Sequence, residues 1–434
     1  MDSQRVVITG IGPIASIGIG KDEVWSSVTE GKTGLKSEEY SISDKASQKF
    51  YLHKAKDFKL CDLGIDKAAL NDIQTWKDEE IGKDLKYILG VVKLALDDSR
   101  LSFDPKDTKN KVGLVLTHEN PGLDDFYQKV IDESFDLLKN NSSISKEEYF
   151  KGFFGKFQKR AYDLQTFMFL YHAAKAFGFH GYSLFINNAC ASGLYALEAA
   201  ADIIKSGKCQ AVISAGVDLT SIFKLLWFKG IGMYAEDGLI KPFSKDRNGF
   251  VFGEGGAGIV LESLESAKKR KAHIYAEYSG GGFSLEGWKV TIPDLNGDSY
   301  KKALSEALTK AQKETIDLLV PHGVGTTVAD SHEAKAINEV FGRIKPPITA
   351  LKPYVGHNLG SCCLLETAIL MMALEKGFIP ATLNVKETDP KLGIDLVTAP
   401  KKSNLKTIVK MACGFAGYNG AVVFNRDTSH LNRA

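Results

Sequence analysis

The chain has too few cysteines for a disulfide-rich protein and too little excess charge for a typical nucleic-acid-binding one. Its 434 residues include six cysteines, which lack both the density of a disulfide framework and the CxxC spacing of a zinc site. The net charge of +2 gives no argument for nucleic acid or a membrane surface as a partner. We therefore expect a cytoplasmic protein in a reducing compartment, without a bound metal.

Long apolar segments are also lacking. The N-terminus shows no signal-peptide pattern, because Arg5-Val-Val-Ile-Thr-Gly10 begins directly as a predicted strand. The most apolar predicted helix, Cys362 to Leu374, carries Glu366 and is too short to span a bilayer. We expect a soluble protein with no membrane insertion. Because 434 residues exceed the usual size of one hydrophobic core, we expect two domains or two halves that share a layered core.

Strand-like runs alternate with amphipathic helices, which predicts an α/β fold. One set of predicted strands is Arg5–Thr9, Lys111–Leu116, Ser183–Ala189, Gln210–Gly216 and Ala257–Leu261. The other set is Ile274–Gly280, Asp317–Pro321, Ile348–Leu351, Thr407–Ala412 and Ala421–Phe424. The basic run Lys268–Lys271 lies between the sets and is a candidate seam, although the solvated end of a helix also explains it. Gly253–Gly258 lacks the Gly-Lys-Ser/Thr ending of a phosphate loop, which favours tight turning and close packing.

Cys190 lies at a predicted junction between a strand and a helix. The pattern of Ser183–Ala189 predicts the strand, and that of Ala191–Lys205 predicts a helix that ends before Gly207. Unpaired N–H groups and the positive dipole end at a helix start favour thiolate over thiol. Most buried cysteines are inert, so position alone does not establish chemistry. The sequence therefore predicts a candidate nucleophile, which the rest of the chain must support.

Two histidines lie in turns that follow predicted strands. His322 comes directly after the buried run Asp317–Pro321, at the strand end where layered α/β folds place their sites. The next helix has its own start signal, Asp330 with Glu333 three residues later, which predicts a capping box. For these two acids, a structural role is favoured over a direct chemical one.

The second histidine, His357, lies in a predicted strand, loop and helix sequence. The loop belongs to Leu351–Gly360, and the helix is predicted to end near Lys376, before Gly377. A histidine at a helix start has its protonated form disfavoured, so we expect a neutral N–H donor. A single histidine of this kind is usually structural, but two of them together with Cys190 indicate a site.

Several short motifs occur in a fixed order along the chain. They are Val6-Val-Ile-Thr-Gly-Ile-Gly12, Ala189-Cys-Ala-Ser-Gly193, Lys241-Pro-Phe-Ser-Lys-Asp-Arg-Asn-Gly-Phe-Val-Phe-Gly-Glu-Gly255, His322-Gly-Val-Gly-Thr326, Lys352 with His357, Pro380-Ala-Thr-Leu-Asn384 and Gly414-Phe-Ala-Gly-Tyr-Asn419. Their joint order and spacing resemble the elongating β-ketoacyl-acyl carrier protein synthases of type II fatty acid synthesis, in the thiolase superfamily. The resemblance covers nearly the whole chain, although each motif alone is weak.

The resemblance implies a decarboxylative Claisen condensation. Cys190 would take an acyl group from acyl carrier protein, and the backbone N–H groups of Cys190 and Phe415 would form the oxyanion hole, on the order of 3 kcal/mol per donor. Malonyl carrier protein would then lose carbon dioxide, and the carbanion would attack the acyl-enzyme to give 3-oxoacyl carrier protein. His322 and His357 would stabilise the enolate oxygen, with His322 the main partner in decarboxylation.

Supporting roles follow from the same resemblance. Lys352 would hold the histidine network, and Glu366 would anchor its helix from behind the site. Phe415 resembles a gating residue beside the acyl pocket, and Thr326 keeps a hydroxyl that can touch the pantetheine. Asp330 and Glu333 would support the site from outside it.

The fold implied is thiolase-like, five-layered αβαβα, and built from two similar halves. The first half, residues 1–265, would carry the nucleophile, and the second, residues 266–434, would carry both histidines. No cofactor is expected beyond the phosphopantetheine of the carrier protein. The expected partners are acyl carrier protein and a second copy in a homodimer, with no nucleic acid.

The chain departs from the family pattern around the expected pocket. Val324 replaces the usual threonine, Ser361-Cys-Cys363 replaces small residues after the second histidine, and Ala416 replaces a glycine in the gating loop. The four residues expected to carry the chemistry, Cys190, His322, Lys352 and His357, are retained, whereas residues around the expected substrate pocket differ from the family pattern. We therefore expect a substrate unlike ordinary saturated fatty chains, from a specialised lipid or polyene pathway; neutral drift in a housekeeping enzyme is the alternative.

Two further segments depart from the family. The usual basic docking patch is here Trp76-Lys-Asp-Glu-Glu80, before the predicted helix Leu85–Asp98, so carrier protein docking would use Lys268–Lys271 or Arg247, or a dedicated carrier protein. The segment Ser145–Phe169 is aromatic and basic. We expect it to be dimer-interface core rather than a membrane or unusual-partner surface. Its phenylalanines are Phe150, Phe153, Phe154, Phe157 and Phe167.

Two other functions remain open. A non-decarboxylating thiolase usually relies on a second cysteine near the C-terminus, whereas this chain supplies His357. A non-catalytic subunit resembling a chain-length factor is the other alternative. The retention of Cys190, His322, Lys352 and His357 argues against it.

Overall fold

A computed structural model describes residues 4–43, 46–65, 82–120, 143–152 and 165–426, with residues 127, 130, 131, 134, 136 and 139 between them. The acidic run Trp76–Glu80 lies outside the described residues, and so do Phe153, Phe154 and Phe157. In the part that is described, no helix is long and apolar enough to cross a membrane.

Helices and strands alternate along the chain as the sequence predicts. The helices are α1 Gly20–Thr29, α2 Lys83–Ser99, α3 Thr166–Phe177, α4 Ser192–Lys205, α5 Ile222–Gly230, α6 Leu264–Lys269, α7 Asp298–Lys310, α8 Thr327–Phe341, α9 Lys352–Val355 and α10 Cys362–Lys376. The strands are β1 Val6–Ala15, β2 Gly18–Ile19, β3 Leu35–Ser43, β4 Ala46–His53, β5 Val112–Thr117, β6 Ser183–Ile186, β7 Ala211–Asp218, β8 Phe252–Gly253, β9 Gly255–Ser263, β10 Ala276–Leu285, β11 Leu318–Val320, β12 Phe378–Ile379, β13 Lys401–Lys402, β14 Thr407–Cys413 and β15 Tyr418–Asn425.

The central sheet consists of two stretches with the same strand order. One stretch runs β1-β9-β7-β5-β6, and the other runs β10-β15-β14-β11 and continues through a parallel bridge from Leu319 to Ile348. When the strands of each stretch are numbered in chain order, with the Ile348 bridge counted as a strand, both stretches have the spatial order 1-5-4-2-3. The stretches meet where β1 pairs antiparallel with β10 over Val6–Ile8 and Ala276–Tyr278. The chain therefore repeats one α/β topology.

Helices cover both stretches and fill the space between them. On the outside, α2 packs against β1, β9 and β7, and α7 packs against β10 and β15. In the middle, α4 contacts β5 and β7 as well as β15, and α10 contacts β9 and β1 as well as β14. From Cys362 to Leu374, α10 is buried on all sides, as expected for a helix between two stretches of the sheet. The predicted fold of αβαβα layers is confirmed.

Several strands differ from the sequence prediction. The predicted strand Ile348–Leu351 is reduced to bridges at Ile348, and a single helical turn, α9, follows it where a loop was expected. The small sheet β3-β4-β8 was not predicted, because Leu35–Ser43 is mostly polar and gives little strand signal on its own.

Close packing explains the glycine-rich run Gly253–Gly258, which covers the end of β8 and the start of β9. A Cβ at Gly256 would lie 1.8 Å from the carbonyl oxygen of Gly216, so no larger residue fits between these paired strands. The run is therefore a packing feature, as the sequence indicates. The basic run Lys268–Lys271 begins in the last turn of α6, where Lys268 and Lys269 face the negative end of the helix dipole.

Candidate active site

Cys190 lies in a tight turn between β6 and α4. Ala191 is the N-cap of α4, and Ala189 adopts a left-handed φ of 49°, which is unusual for a residue with a Cβ. The Ser192 hydroxyl stabilises the turn, because it accepts from the Asn188 amide at 2.7 Å and donates to the Ala189 carbonyl at 2.6 Å. The turn holds the Cys190 thiol at the start of a central helix, as predicted.

Both predicted histidines lie beside the Cys190 thiol. The Nε2 atom of His357 lies 3.2 Å from the Sγ atom of Cys190, and the His322 and His357 ring centroids are 5.1 Å apart. The Sγ atom and a ring nitrogen of each histidine lie within 4.8 Å of one another. Among the described residues, the Nδ1 atom of neither ring has a hydrogen-bond partner. The structure thus brings one nucleophile and two imidazoles together in a buried cluster.

Two buried acids hold the loop that carries His322. The Glu333 carboxylate accepts from the backbone amides of His322 and Gly323, at 2.7 and 2.8 Å. The Asp330 carboxylate accepts from the amides of Gly325 and Phe243, at 3.0 and 2.6 Å. The two acids orient the His322 loop and do not face the Cys190 thiol directly.

The predicted capping box at Asp330 is wrong. The N-cap of α8 is Thr326, whose hydroxyl accepts from the Ala329 amide at 3.3 Å, and Asp330 lies within the helix. Asp330 and Glu333 face the loop that carries His322 instead of the helix end. The backbone amides of that loop need hydrogen-bond acceptors, which the two carboxylates supply. Thr326 also lines the cavity at Cys190.

Lys352 belongs to a buried ion-pair group behind the histidines. Its ammonium donates to the His322 carbonyl at 2.8 Å and to Oε1 of Glu366 at 2.9 Å. Lys410 lies 2.5 Å from the other oxygen, Oε2, of Glu366 and donates to the Pro321 carbonyl at 2.9 Å. Glu366 is therefore the shared anion of two lysines, and its ion pairs connect α10 to α9 and β14.

Lys410 is a site residue that the sequence reasoning missed. It lies in the middle of β14, in the run Thr407-Ile-Val-Lys-Met-Ala-Cys413, and is fully buried. A lysine inside an apolar strand needs a buried anion, because an isolated charge is too costly to desolvate. The single charged residue in this otherwise uncharged strand was the signal in the sequence that could have indicated a buried ion pair.

Burial determines the protonation of the three central groups. Burial raises the pKa of the Cys190 thiol well above its ordinary value, and Cys362 adds to the rise. Burial also lowers the pKa of His322 and His357 well below the usual range, and the Lys352 ammonium lowers both further. The neutral state expected for His357 is therefore present, but its cause is burial and nearby cations. The expected shift toward thiolate at Cys190 is wrong, because desolvation dominates.

Phe415 forms part of the wall between two cavities. A cavity of about 70 Å³ surrounds Cys190, His322 and His357, and a second cavity of about 550 Å³ lies beyond it. Phe415 and Phe228 line both cavities and stack on each other with centroids 5.6 Å apart. Two residues that depart from the family pattern lie at these cavities. Val324 lines the smaller cavity, and Ala416 has a left-handed φ of 60° next to Phe415.

The loop before Phe415 packs directly against the Cys190 turn. A Cβ at Gly414 would lie 3.1 Å from the Cys190 amide nitrogen, so the backbone of this loop approaches the nucleophile closely. The Ala416 amide donates to the Val290 carbonyl, and the Gly414 amide donates to the Tyr418 carbonyl. The loop that carries Phe415 is therefore held against the Cys190 turn through Gly414.

The two thiols that follow His357 also face the nucleophile. Cys362 and Cys363 donate to the Cys190 carbonyl oxygen at 3.5 and 3.4 Å. The amide of Ser361, one residue earlier, donates to the Asp218 carboxylate at 2.8 Å. Asp218, which lies 3.3 Å from a ring nitrogen of His118, is a second residue that the sequence reasoning missed. An acid at the end of β7 was the available signal.

One proposed docking cation is not available. The Arg247 side chain is 5% exposed, and it donates to the Ser244 carbonyl at 2.8 Å and to the Asp389 carboxylate at 2.9 Å. The suggestion that Arg247 docks a carrier protein is therefore wrong, because its guanidinium is already paired inside the fold. Lys269 and Lys271 are exposed.

Comparisons with known proteins agree with this geometry. Residues 3–267 match the family described as "Beta-ketoacyl synthase, N-terminal domain", and residues 275–386 match "Beta-ketoacyl synthase, C-terminal domain". The chain is similar to the 3-oxoacyl-(acyl-carrier-protein) synthase 2 of Coxiella burnetii, with 27% identity over 98% of this chain and 99% of that one.

A polyketide synthase subunit and a solved ketosynthase/chain length factor are also similar. The tetracenomycin polyketide synthase ketoacyl synthase alpha subunit of Streptomyces glaucescens is 28% identical over 98% of this chain and 97% of that one. The solved ishigamide ketosynthase/chain length factor superposes with a TM-score of 0.83 at 26% identity, over 98% of this chain and 99% of that one. With both family domains matched and the cysteine and two histidines in one cluster, the chain belongs to the β-ketoacyl synthase family of condensing enzymes, with a thiolase-like fold.

Proposed function

We propose that this protein is an active β-ketoacyl-acyl carrier protein synthase. It would condense an acyl-enzyme thioester on Cys190 with malonyl carrier protein to give 3-oxoacyl carrier protein and carbon dioxide. The observation that carries the proposal is the cluster of the Cys190 thiol with His322 and His357 within 4.8 Å. A partner subunit without catalysis would have no need for this buried set or for the ion pairs behind it.

In the first half-reaction, the Cys190 sulfur attacks the carbonyl carbon of the incoming acyl thioester. The carbon–sulfur bond to the phosphopantetheine breaks, and the proton of the Cys190 thiol ends on the departing pantetheine thiol. His357, at 3.2 Å, is placed to relay that proton. The amides of Cys190 and Phe415 stabilise the negative oxygen of the tetrahedral intermediate.

In the second half-reaction, the malonyl group loses carbon dioxide, and an enolate forms. The neutral His322 and His357 rings donate N–H groups to the enolate oxygen. The enolate carbon attacks the acyl carbonyl, the bond to Cys190 breaks, and the sulfur takes a proton from solvent. Lys352 acts as a positioning residue, because it holds the His322 carbonyl and its charge favours neutral rings. Glu366 is the anion that balances this charge, and it also pairs with Lys410.

The name of the Coxiella burnetii relative supports acyl carrier protein as the source of both substrates. The exposed basic residues Lys269 and Lys271 remain our proposed docking cations for this partner. We also propose a homodimer, because Phe150 and Phe167 are 60% and 49% exposed in the single chain. The halves 1–265 and 266–434 would contribute the nucleophile and the histidines, respectively.

A second candidate function has one specific observation in its favour. Cys413 lines the same cavity as Cys190, so a second cysteine near the C-terminus is present, as in a non-decarboxylating thiolase. Burial raises the pKa of Cys413 well above its ordinary value, which makes it a poor base. Thiolysis of acetoacetyl-coenzyme A by the purified protein would support this candidate instead.

The test is condensation with purified carrier proteins. Cys190→Ala should abolish formation of 3-oxoacyl carrier protein and keep the fold, as seen by circular dichroism. Cys190→Gln, which mimics an acylated side chain, should keep malonyl decarboxylation running. Wild-type protein that forms no product with any acyl chain, or an alanine variant that still condenses, would overturn the proposal.

A further inference from the structure

The larger cavity beyond Phe415 has an unusual lining. Among the described residues that line it, five are aromatic, three are polar and only Ile131 is aliphatic. The aromatic residues are Tyr127, Phe223, Trp227, Phe228 and Phe415. The polar residues are Glu119, Asn120 and Lys224. A pocket for a flexible saturated chain would be expected to have more aliphatic walls than this one.

A long acyl chain on Cys190 finds more room in this second cavity than beside the thiol. The space at Cys190 is about 70 Å³, whereas the second cavity is about 550 Å³. Phe228 and Phe415 border both cavities and separate the smaller from the larger. The residues beyond them therefore contact the distal part of a longer chain.

The aromatic rings are placed by a single helix and its neighbours. Phe223 and Trp227 lie four residues apart on α5, so they share one helix face. Trp227 packs edge-on against Phe228 with centroids 4.7 Å apart, and Tyr127 packs edge-on against Phe223 at 5.9 Å. Trp227 is 49% exposed, so much of its ring is left for a ligand.

We infer that this cavity selects flat, conjugated acyl chains, either polyene or aryl, over saturated chains of equal length. The inference rests on the proposed function and names its substrate class. Aromatic walls offer π faces and edges to a planar chain, and these contacts are geometrically specific. A conjugated chain is also rigid before it binds, so it loses fewer rotamers in a narrow space than a saturated chain does.

The test compares acyl groups on one carrier protein. Transfer to Cys190 is measured by mass spectrometry for acetyl, octanoyl, octa-2,4,6-trienoyl and cinnamoyl groups. Wild-type protein should accept the trienoyl and cinnamoyl groups at least about tenfold faster than octanoyl. Trp227→Leu and Phe223→Leu should reduce that ratio toward one. Tyr182→Leu, an aromatic change at a surface position away from the cavity, is the matched control and should keep it.

Acetyl transfer separates this inference from the proposed function. Acetyl is the shortest group tested, so its transfer by the wild type reports activity at Cys190, and Tyr182→Leu, which changes a residue outside the described lining of both cavities, should transfer it at the wild-type rate. Equal or faster transfer of octanoyl by the wild type, or an unchanged ratio in both cavity variants, would overturn the inference and leave the condensing activity standing. Loss of oligomeric state in the cavity variants, with no change in selectivity, would show that a second copy of the chain covers the cavity. Absence of acetyl transfer in the wild type would contradict the proposed function itself.

Discussion

The Nε2 atom of His357 lies 3.2 Å from the Sγ atom of Cys190, although the two residues come from different repeats of the fold. Cys190 precedes α4, and His357 lies shortly before α10, which pack together between the two stretches of the sheet. The active-site cluster is therefore a product of the internal repeat. Each half places a reactive side chain near the start of its central helix, and the helix pair brings those starts together.

The ion pairs behind the site predict an order of stabilities. Glu366→Gln would leave Lys352 and Lys410 as two buried cations without an anion, which should cost about 3–5 kcal/mol in the free energy of unfolding. Lys410→Met should cost less, because one balanced pair remains. Urea denaturation of both variants measures the difference. If Lys410→Met proved less stable than Glu366→Gln, the conclusion that Glu366 is the shared anion of both lysines would be contradicted.

The two histidines should separate the two half-reactions. His322→Ala should still accept a labelled acyl group on Cys190, because His357 is the ring in contact with the thiol. It should fail to release carbon dioxide from malonyl carrier protein, since one enolate donor is gone. His357→Ala is the comparison and should slow both steps. Release of carbon dioxide by His322→Ala at the wild-type rate would show that the roles are wrong.

Malonyl decarboxylation should be nearly independent of pH between 8 and 6. The pKa values of His322 and His357 lie well below the ordinary value of 6.5, because burial and Lys352 disfavour the charged rings. The neutral donors are thus present throughout this range and are lost only as the pH falls through the lowered pKa values. Carbon dioxide release by Cys190→Gln at several pH values provides the measurement. A loss of rate with a midpoint near pH 6.5 would indicate rings with ordinary pKa values.

Alkylation of Cys190 should keep accelerating above pH 9. Burial raises the pKa of this thiol, so the thiolate fraction is small at neutral pH and grows as the pH rises. Iodoacetamide labelling followed by peptide mass spectrometry gives the rate, and the exposed Cys61 in the same protein is an internal reference for reagent reactivity. A rate for Cys190 that levels off below pH 7 would show a thiolate stabilised by the helix start.

The main elements of the fold could be predicted because their signals are local. The helix after Cys190 and the turn after the strand that precedes His322 follow from hydrophobic periodicity and glycine positions within a few residues. The prediction of a capping box at Asp330 is wrong because hydrogen bonds outside its own helix position this carboxylate. The backbone amides of Gly325 and Phe243 need an acceptor inside the fold, and sequence spacing carries no record of that contact.

The electrostatics of the site were predicted less well for a similar reason. A helix start is visible in the sequence, but the depth of Cys190 in the layered core is not, so the sequence carries no signal for the desolvation that raises the pKa of this thiol. Lys410 pairs with Glu366 across two elements far apart in the chain. Partners of this kind become visible only when the sheets and the central helices are assembled.

The most direct test of the account is the mass of Cys190 during turnover. Wild-type protein is mixed with an acyl carrier protein that carries a labelled acyl group, and the peptide containing Cys190 is examined before and after addition of malonyl carrier protein. The account predicts that the peptide gains the acyl mass and then loses it, as carbon dioxide and labelled 3-oxoacyl carrier protein appear. A labelled condensation product formed without any acyl mass on Cys190, including in Cys190→Ala, would contradict it.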